Sequence, residues 1–393
     1  MAEKTPKHIL PVIVFAQFAG TSLWFAGNAV VESLIWELGL ADSLLGYITI
    51  SVQAGFIIGT LIFALLNIAD RFSPVRVFLV CALSGALLNL VIIWSSSAFT
   101  ILAARSATGI FLAGIYPVGI KIASDWHQKG LGKAMGFLVG ALVLGTAFPH
   151  FLKFVGNDYP WRFVFIGTSI IAASGGLFLF LTVRDGPFRT RSTGMEFDPK
   201  AITQLFRHQN FRAAALGYFG HMWELYTFWT FVPVMIGYYS QVQGIDLSVS
   251  LWSFIVIAIG GSSCVIGGYL SKSKGSKWVS MVSLVGSGLC CLLIIWSFSL
   301  PLVVFFLIML FWGIFVIPDS PQLSTLVAQS SPASQVATGL TIVNSIGFAL
   351  TIVSIQIVSY LWNLTASPLI FLVMFIGPLI GLLFTNRYAY VLF

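Results

Sequence analysis

The chain has 393 residues, of which 58% are hydrophobic and only 8% charged. So few charges cannot solvate the surface of a soluble protein of this size, and a mean hydropathy of +0.95 makes lipid the natural solvent. The net charge of +7 would suit a nucleic-acid partner, but the placement of the basic residues along the chain argues against one.

Helical crossing of the ~30 Å hydrocarbon core takes about 20 apolar residues, and a helix pairs its own backbone groups in lipid. Stretches of that kind fall at 9–31, 44–67, 76–95, 98–123, 131–153 and 161–183. After a polar interval they resume at 212–237, 248–270, 277–298, 301–327, 335–361 and 367–386. The pattern predicts an all-α polytopic membrane protein with twelve transmembrane helices in two pseudo-symmetric six-helix bundles. The bundles occupy residues 1–183 and 212–393, joined by a connector at 184–211. The first stretch lacks a small-residue cleavage site and is expected to be a retained helix.

Following the spans from a cytoplasmic N-terminus puts Lys4, Lys7, Arg71, Arg76, the connector arginines, Lys272, Lys274, Lys277 and Arg387 on one side. Lys153 and Arg162 fall on the other. This is a positive-inside bias, with both termini expected in the cytoplasm and anionic inner-leaflet lipid as the counterpart. Cys81, Cys264, Cys290 and Cys291 lie inside spans without metal-ligand spacing, and are expected to pack as small hydrophobes. Within the connector region, Phe197–Arg212 has a short amphipathic pattern suited to the membrane surface.

Several spans carry polar residues at helical spacing. In span 1, Gln17, Thr21, Trp24 and Asn28 form one stripe, a cavity face or helix-packing glue. Span 5 has glycines at 132, 136 and 140, then Gly145 and Pro149-His150, spacing that allows close helix contact. Span 7 reads Gly220-His221-Met222-Trp223-Glu224-Leu225-Tyr226-Thr227-Phe228-Trp229, with His221 and Glu224 three apart on one helix face. Span 10 contains Pro318-Asp319-Ser320-Pro321, which no unbroken helix accommodates without freeing carbonyls. The halves also echo each other: turn-rich basic connectors follow spans 2 and 8, and spans 1 and 7 align at a shift of about 200 residues.

Three local patterns carry a resemblance to a known family. Ala69-Asp70-Arg71-Phe72 with Arg76 is similar to a loop of the form G-x-L-A-D-R-x-G-R-(K/R), with Asn67 in place of its leading glycine. Arg105-x-x-x-Gly109 in span 4 and Trp161-Arg162-Phe163 opening span 6 are the second and third. With the two sets of six spans, the whole chain resembles the major facilitator superfamily. The resemblance implies that Asp70, Arg71 and Arg76 form a conformational latch, and that spans 1, 4, 7 and 10 line a central path. The span 5 glycines partly resemble the family's antiporter motif, with Ala141 where that motif has proline. The span 7 and span 4–5 regions resemble the anion-porter branch. A nitrate porter implies arginines in spans 2 and 8, and neither has one.

Ionisable residues inside a membrane are functional candidates by default. On that basis Glu224 is the expected proton-coupling carboxylate, His221 its modulator and Asp319 a second candidate, which alternatively caps a helix or pairs with Arg105 or Lys121. The expected substrate cavity comprises Gln17, Thr21, Trp24, Asn28, Arg105, Lys121, His150, Tyr226 and Trp229. Arg105 supports that cavity or is tied to backbone carbonyls; Lys121 snorkels to the surface or contacts an anion. No phosphate loop, catalytic triad pattern or His/Cys metal array is present in the sequence, so no enzyme activity, cofactor or metal is expected. The chain reads as a secondary transporter of a small organic solute, with an anionic one compatible, driven by protons. It is expected as a monomer in a bacterial cytoplasmic membrane. An exporter working by proton antiport, or a receptor with a transporter fold, are the other readings.

Overall fold

Backbone groups facing hydrocarbon must be paired within their own segment, and this chain pairs them as helices; no strand occurs among the described residues. The structure, a computed structural model, describes residues 6–127, 131–157, 159–189, 200–332 and 335–389. It separates into two compact units, residues 1–196 and 197–393. The expected connector at 184–211 straddles that boundary. Residues 190–199 lie outside the described residues, so the amphipathic pattern appears only as its second part, the helix Lys200–Arg207.

Unit 1 contains α1 (Ile9–Thr21), α2 (Val31–Leu38), α3 (Leu44–Leu65), α4 (Ile68–Arg71), α5 (Pro74–Val91), α6 (Ala98–Leu112), α7 (Tyr116–Trp126), α8 (Leu131–Val155) and α9 (Arg162–Thr182). Unit 2 contains α10 (Lys200–Arg207), α11 (Gln209–Gln243), α12 (Val249–Lys274), α13 (Ser276–Ser297), α14 (Leu302–Phe315), α15 (Asp319–Gln329), α16 (Val336–Thr365) and α17 (Ile376–Thr385). A 3-10 segment, Pro368–Phe375, leads into α17. Ten helical segments among the described residues are long and apolar enough to cross a membrane, not twelve. The expected first span shortens to a 13-residue helix, because the chain turns at Ser22–Gly27. The expected seventh lies in the 35-residue α11, which is long enough but too polar to count with the ten.

Burial is inverted relative to a soluble fold. On α5, Val80, Leu83, Leu87 and Val91 face outward, with Leu87 66% exposed, while the polar Asn89 is fully buried. Such an apolar exterior is stable only against lipid. Inside each unit, glycine lets helices touch backbone to backbone. A Cβ on Gly109 of α6 would overlap the Val52 carbonyl of α3, and a Cβ on Gly313 of α14 would overlap the Val256 carbonyl of α12. Both members of the second pair stand 204 residues after those of the first, so the two units repeat one helix contact. They also repeat a broken span: α6 and α7 meet at Ala113–Ile115, α14 and α15 at Val316–Pro318.

Candidate functional site

In unit 1 the break after α1 frees backbone carbonyls, and Arg105 of α6 collects them. Its guanidinium donates to Leu23 O at 2.9 Å, to Trp24 O and to Asn89 Oδ1 at 3.0 Å. Asn89 in turn donates toward Ser169 Oγ at 3.0 Å, Thr168 Oγ1 at 3.1 Å and Phe165 O at 3.2 Å. Arg105 is fully buried and no carboxylate lies within ion-pair distance among the described residues. Its charge is solvated by amide dipoles from α1's break and by α5, and through Asn89 it ties both to α9.

The span 1 stripe is buried, and its members meet different neighbours. Gln17 lies against Gly119 of α7 and Thr21 against Gly145 of α8. Trp24 packs on Phe56 of α3 with ring centroids 4.7 Å apart, and Asn28 donates to Thr49 Oγ1 at 2.5 Å. Both amide atoms of Gln17, both of Gln53 and Nε2 of His150 are buried without a hydrogen-bond partner. Gln53 was not among the residues singled out from sequence, nor was Asn89. A polar amide within an apolar span was the signal available for both.

Lys121 stands at the far end of the α6–α7 span from Arg105. Its ammonium lies 3.0 Å from Asp70 Oδ1 and 3.5 Å from Asp125 Oδ1. Asp70, expected in a latch, thus pairs with Lys121. Arg71 and Arg76 turn toward the 183–189 segment, where they line a cavity with Arg184 and Arg189.

Unit 2 gathers three ionisable groups. Glu224 is buried, and its carboxylate accepts from Trp312 Nε1 at 2.7 Å, Ser287 Oγ at 2.9 Å and Cys291 Sγ at 3.2 Å. Cys291 is thus a donor to a carboxylate rather than a plain hydrophobe. His221 faces Asp319 instead, with Nδ1 2.9 Å from Oδ1 and both side chains buried. The pair is close but not aligned as a hydrogen bond, and His221 Nε2 has no partner. Asp319 opens α15 directly after the break at Val316–Pro318 and meets α11 through His221. Tyr226 packs edge-on to Trp229 at 5.1 Å and against Phe348 at 5.3 Å, an aromatic seam between α11 and α16. Thr227 and Ser354 hydroxyls, 2.7 Å apart, close the same seam.

The family model of the Major Facilitator Superfamily matches residues 12–355. The chain belongs to the major facilitator superfamily. Among solved superfamily structures, a bacterial homologue of the human lysosomal transporter Spinster, in an inward-facing and occupied conformation, superposes with a TM-score of 0.70 at 15% identity, covering 99% of this chain and 97% of the other. The human organic anion transporter MFSD10 (TETRAN) superposes with a TM-score of 0.71 at 16% identity, covering 96% and 99%. At these identities the likeness is one of fold. In sequence, the chain is 26% identical over 214 residues to the nitrate/nitrite transporter NrtP of Picosynechococcus sp.. That match takes in 46% of this chain and 39% of the relative's length. This is a multi-pass membrane protein of a transporter superfamily.

Proposed function

We propose that this superfamily member is a proton-coupled secondary transporter of a small organic solute, working by alternating access of its two helical units. The observation that carries the reading is the His221–Asp319 contact. A buried ion pair repays its desolvation only with good geometry and satisfied surroundings. This one is poorly aligned and leaves an imidazole nitrogen unpaired. The contact is therefore held loosely enough to part and re-form, which a proton carrier requires. Glu224 is the opposite case. Three donors fix its carboxylate in place, which makes it the anchor beside the carrier.

The groups in unit 1 bear on the solute. Arg105 is occupied by carbonyls, Lys121 by Asp70 and Asp125, and in unit 2 His221 faces Asp319. What remains for recognition are the unpartnered amides of Gln17 and Gln53 and the Nε2 of His150. These suit a polar organic molecule with hydrogen-bonding groups. Nitrate is not proposed despite the sequence relative, because neither α3 nor α12 contains an arginine.

The test is a solute screen in proteoliposomes with and without an imposed pH gradient, repeated with Asp319→Asn and His221→Gln. Both variants are expected to retain counterflow exchange and to lose gradient-driven accumulation. Full accumulation by both would refute coupling through this pair. A ligand that binds but never crosses would make the protein a receptor.

A further inference from the structure

The turn between α3 and α5 and the segment after α9 build a cavity of about 480 Å³ within unit 1. Four arginines line it, Arg71, Arg76, Arg184 and Arg189, against one carboxylate, Asp185. The wall is held in place. Gly186 is packed so tightly on the Asp125 carbonyl that a Cβ there would overlap it. Phe188 N donates to that same carbonyl at 3.1 Å, and Trp126 Nε1 donates to Arg184 O at 2.9 Å. The segment after α9 is thereby strapped to the end of α7. Ser73 donates to Asp185 Oδ1 at 2.8 Å, and Arg189 reaches Asp185 Oδ2 and Phe72 O, each at 2.7 Å.

These contacts account for Asp185 and part of Arg189. The Nε of Arg189 is buried with no partner, and Arg71, Arg76 and Arg184 have no carboxylate within ion-pair distance among the described residues. Asp70, the nearest other acid in sequence, is turned away to Lys121. The cavity also takes in the first turn of α5, whose helix dipole favours an anion. Its apolar lining includes Phe72 and Phe180, 61% and 40% exposed, and the adjoining Leu181 is 71% exposed. A charged hollow thus opens beside apolar surface of the kind that faces acyl chains.

We propose that this cavity binds a phosphate ester, held by the arginine fork geometry that suits phosphate oxygens, and that its source is the headgroup of an anionic membrane lipid. Occupancy would stitch the α3–α5 turn to the segment after α9 from the membrane side.

The test measures binding to the purified full-length protein in neutral detergent, by native mass spectrometry and by thermal shift. The probes are phosphatidylglycerol, phosphatidylcholine, and the soluble glycerol 3-phosphate. The variant is Arg71→Gln/Arg76→Gln/Arg184→Gln, three exposed side chains whose loss leaves the folding contacts intact. Phosphatidylglycerol is expected to bind and to raise the melting temperature, with the triple variant roughly 100-fold weaker at about a tenfold loss or less per arginine. Phosphatidylcholine is expected to bind far more weakly. Equally tight binding of glycerol 3-phosphate, lost in the triple variant, would support the phosphate site and assign it a soluble source. Undiminished phosphatidylglycerol binding by the triple variant, or no binding of either phosphate probe to the parent protein, would overturn the proposal.

Discussion

The two units repeat one helix plan and spend their buried charge in opposite ways. In unit 1 the fully buried charge is Arg105, fixed by two carbonyls and an amide oxygen. In unit 2 the position 204 residues later is Met309, and the charge sits instead on His221, Glu224 and Asp319. A guanidinium keeps its proton in proteins, so Arg105 serves to hold a broken helix together. A carboxylate and an imidazole can exchange protons, so the second set suits a working element. The difference shows how a duplicated scaffold diverges: one half pins a broken helix with a guanidinium, the other sets two carboxylates and an imidazole among facing helices.

The strongest way to break that contrast is to give unit 1 the residue that unit 2 has. Arg105→Met would strand the carbonyls of Leu23 and Trp24 and the amide oxygen of Asn89 away from water. The expected cost is on the order of 3–5 kcal/mol, read as a large drop in melting temperature in detergent. Adding Asn89→Leu removes one stranded acceptor and should recover part of the loss. A melting temperature equal to that of the parent would mean Arg105 pins nothing.

A second comparison should come out equal. Gly109→Ala and Gly313→Ala each drive a methyl into a carbonyl of the facing helix, Val52 and Val256 respectively. Each should destabilise by about 1–3 kcal/mol. Tolerance in one unit alone would show that the repeated contact no longer does the same job in both. Glu224→Gln then tests the proposed split between anchor and carrier. An amide offers one acceptor oxygen where the carboxylate offers two, so either Ser287 or the Trp312–Cys291 pair loses its acceptor. The expectation is a loss of about 1–3 kcal/mol with gradient-driven transport retained. Abolished coupling with unchanged stability would return the coupling role to Glu224.

The helices were legible because lipid imposes a length and an apolar content that composition reports directly. The expected ends of most spans fall within a few residues of the observed helices. Span 1 differs in its second half, since the turn at Ser22–Gly27 is made by carbonyls that bond Arg105, 81 and 82 residues away, and no local pattern announces it. The ionisable residues were visible for the same reason the spans were: each interrupts an apolar run. Their partners were not visible. His221 and Glu224 sit three apart, which suggested a pair, but a helix turn of that spacing also lets two side chains diverge to different neighbours. Glu224 goes to α13 and α14, and His221 goes to α15. Asp70 likewise finds Lys121 about 50 residues on, a partner fixed by tertiary packing alone.

The smallest expected effect lies on the opposite end of unit 1, where Glu37 accepts from Arg162 Nη1 and from Trp161 Nε1, both at 2.7 Å. Arg162 also lies over the Trp161 ring, 4.3 Å from its centroid. Glu37 stands outside the spans, and the hydrogen bond from Arg162 holds its carboxyl below the 4.5 of an unperturbed glutamate, against the opposing effect of partial burial. A lowered pKa means the folded state favours the anion, so the contact stabilises fully above about 4.5 and loses its contribution as pH falls through the lowered value. Both charged side chains are 38% exposed, so solvent screening limits the pair to about 0.2–1 kcal/mol. Melting temperatures of the parent and of Glu37→Gln, compared at about pH 6 and about pH 3.5, should differ at the higher pH and converge at the lower. The Asp70–Lys121 contact at the other end is the matching control: Lys121→Met there should weaken the turn that carries Arg71 and Arg76 without moving the acid response of Glu37. A shift of that response by Lys121→Met would show that the two ends of unit 1 are coupled through α9, and that the unit does not behave as a rigid block.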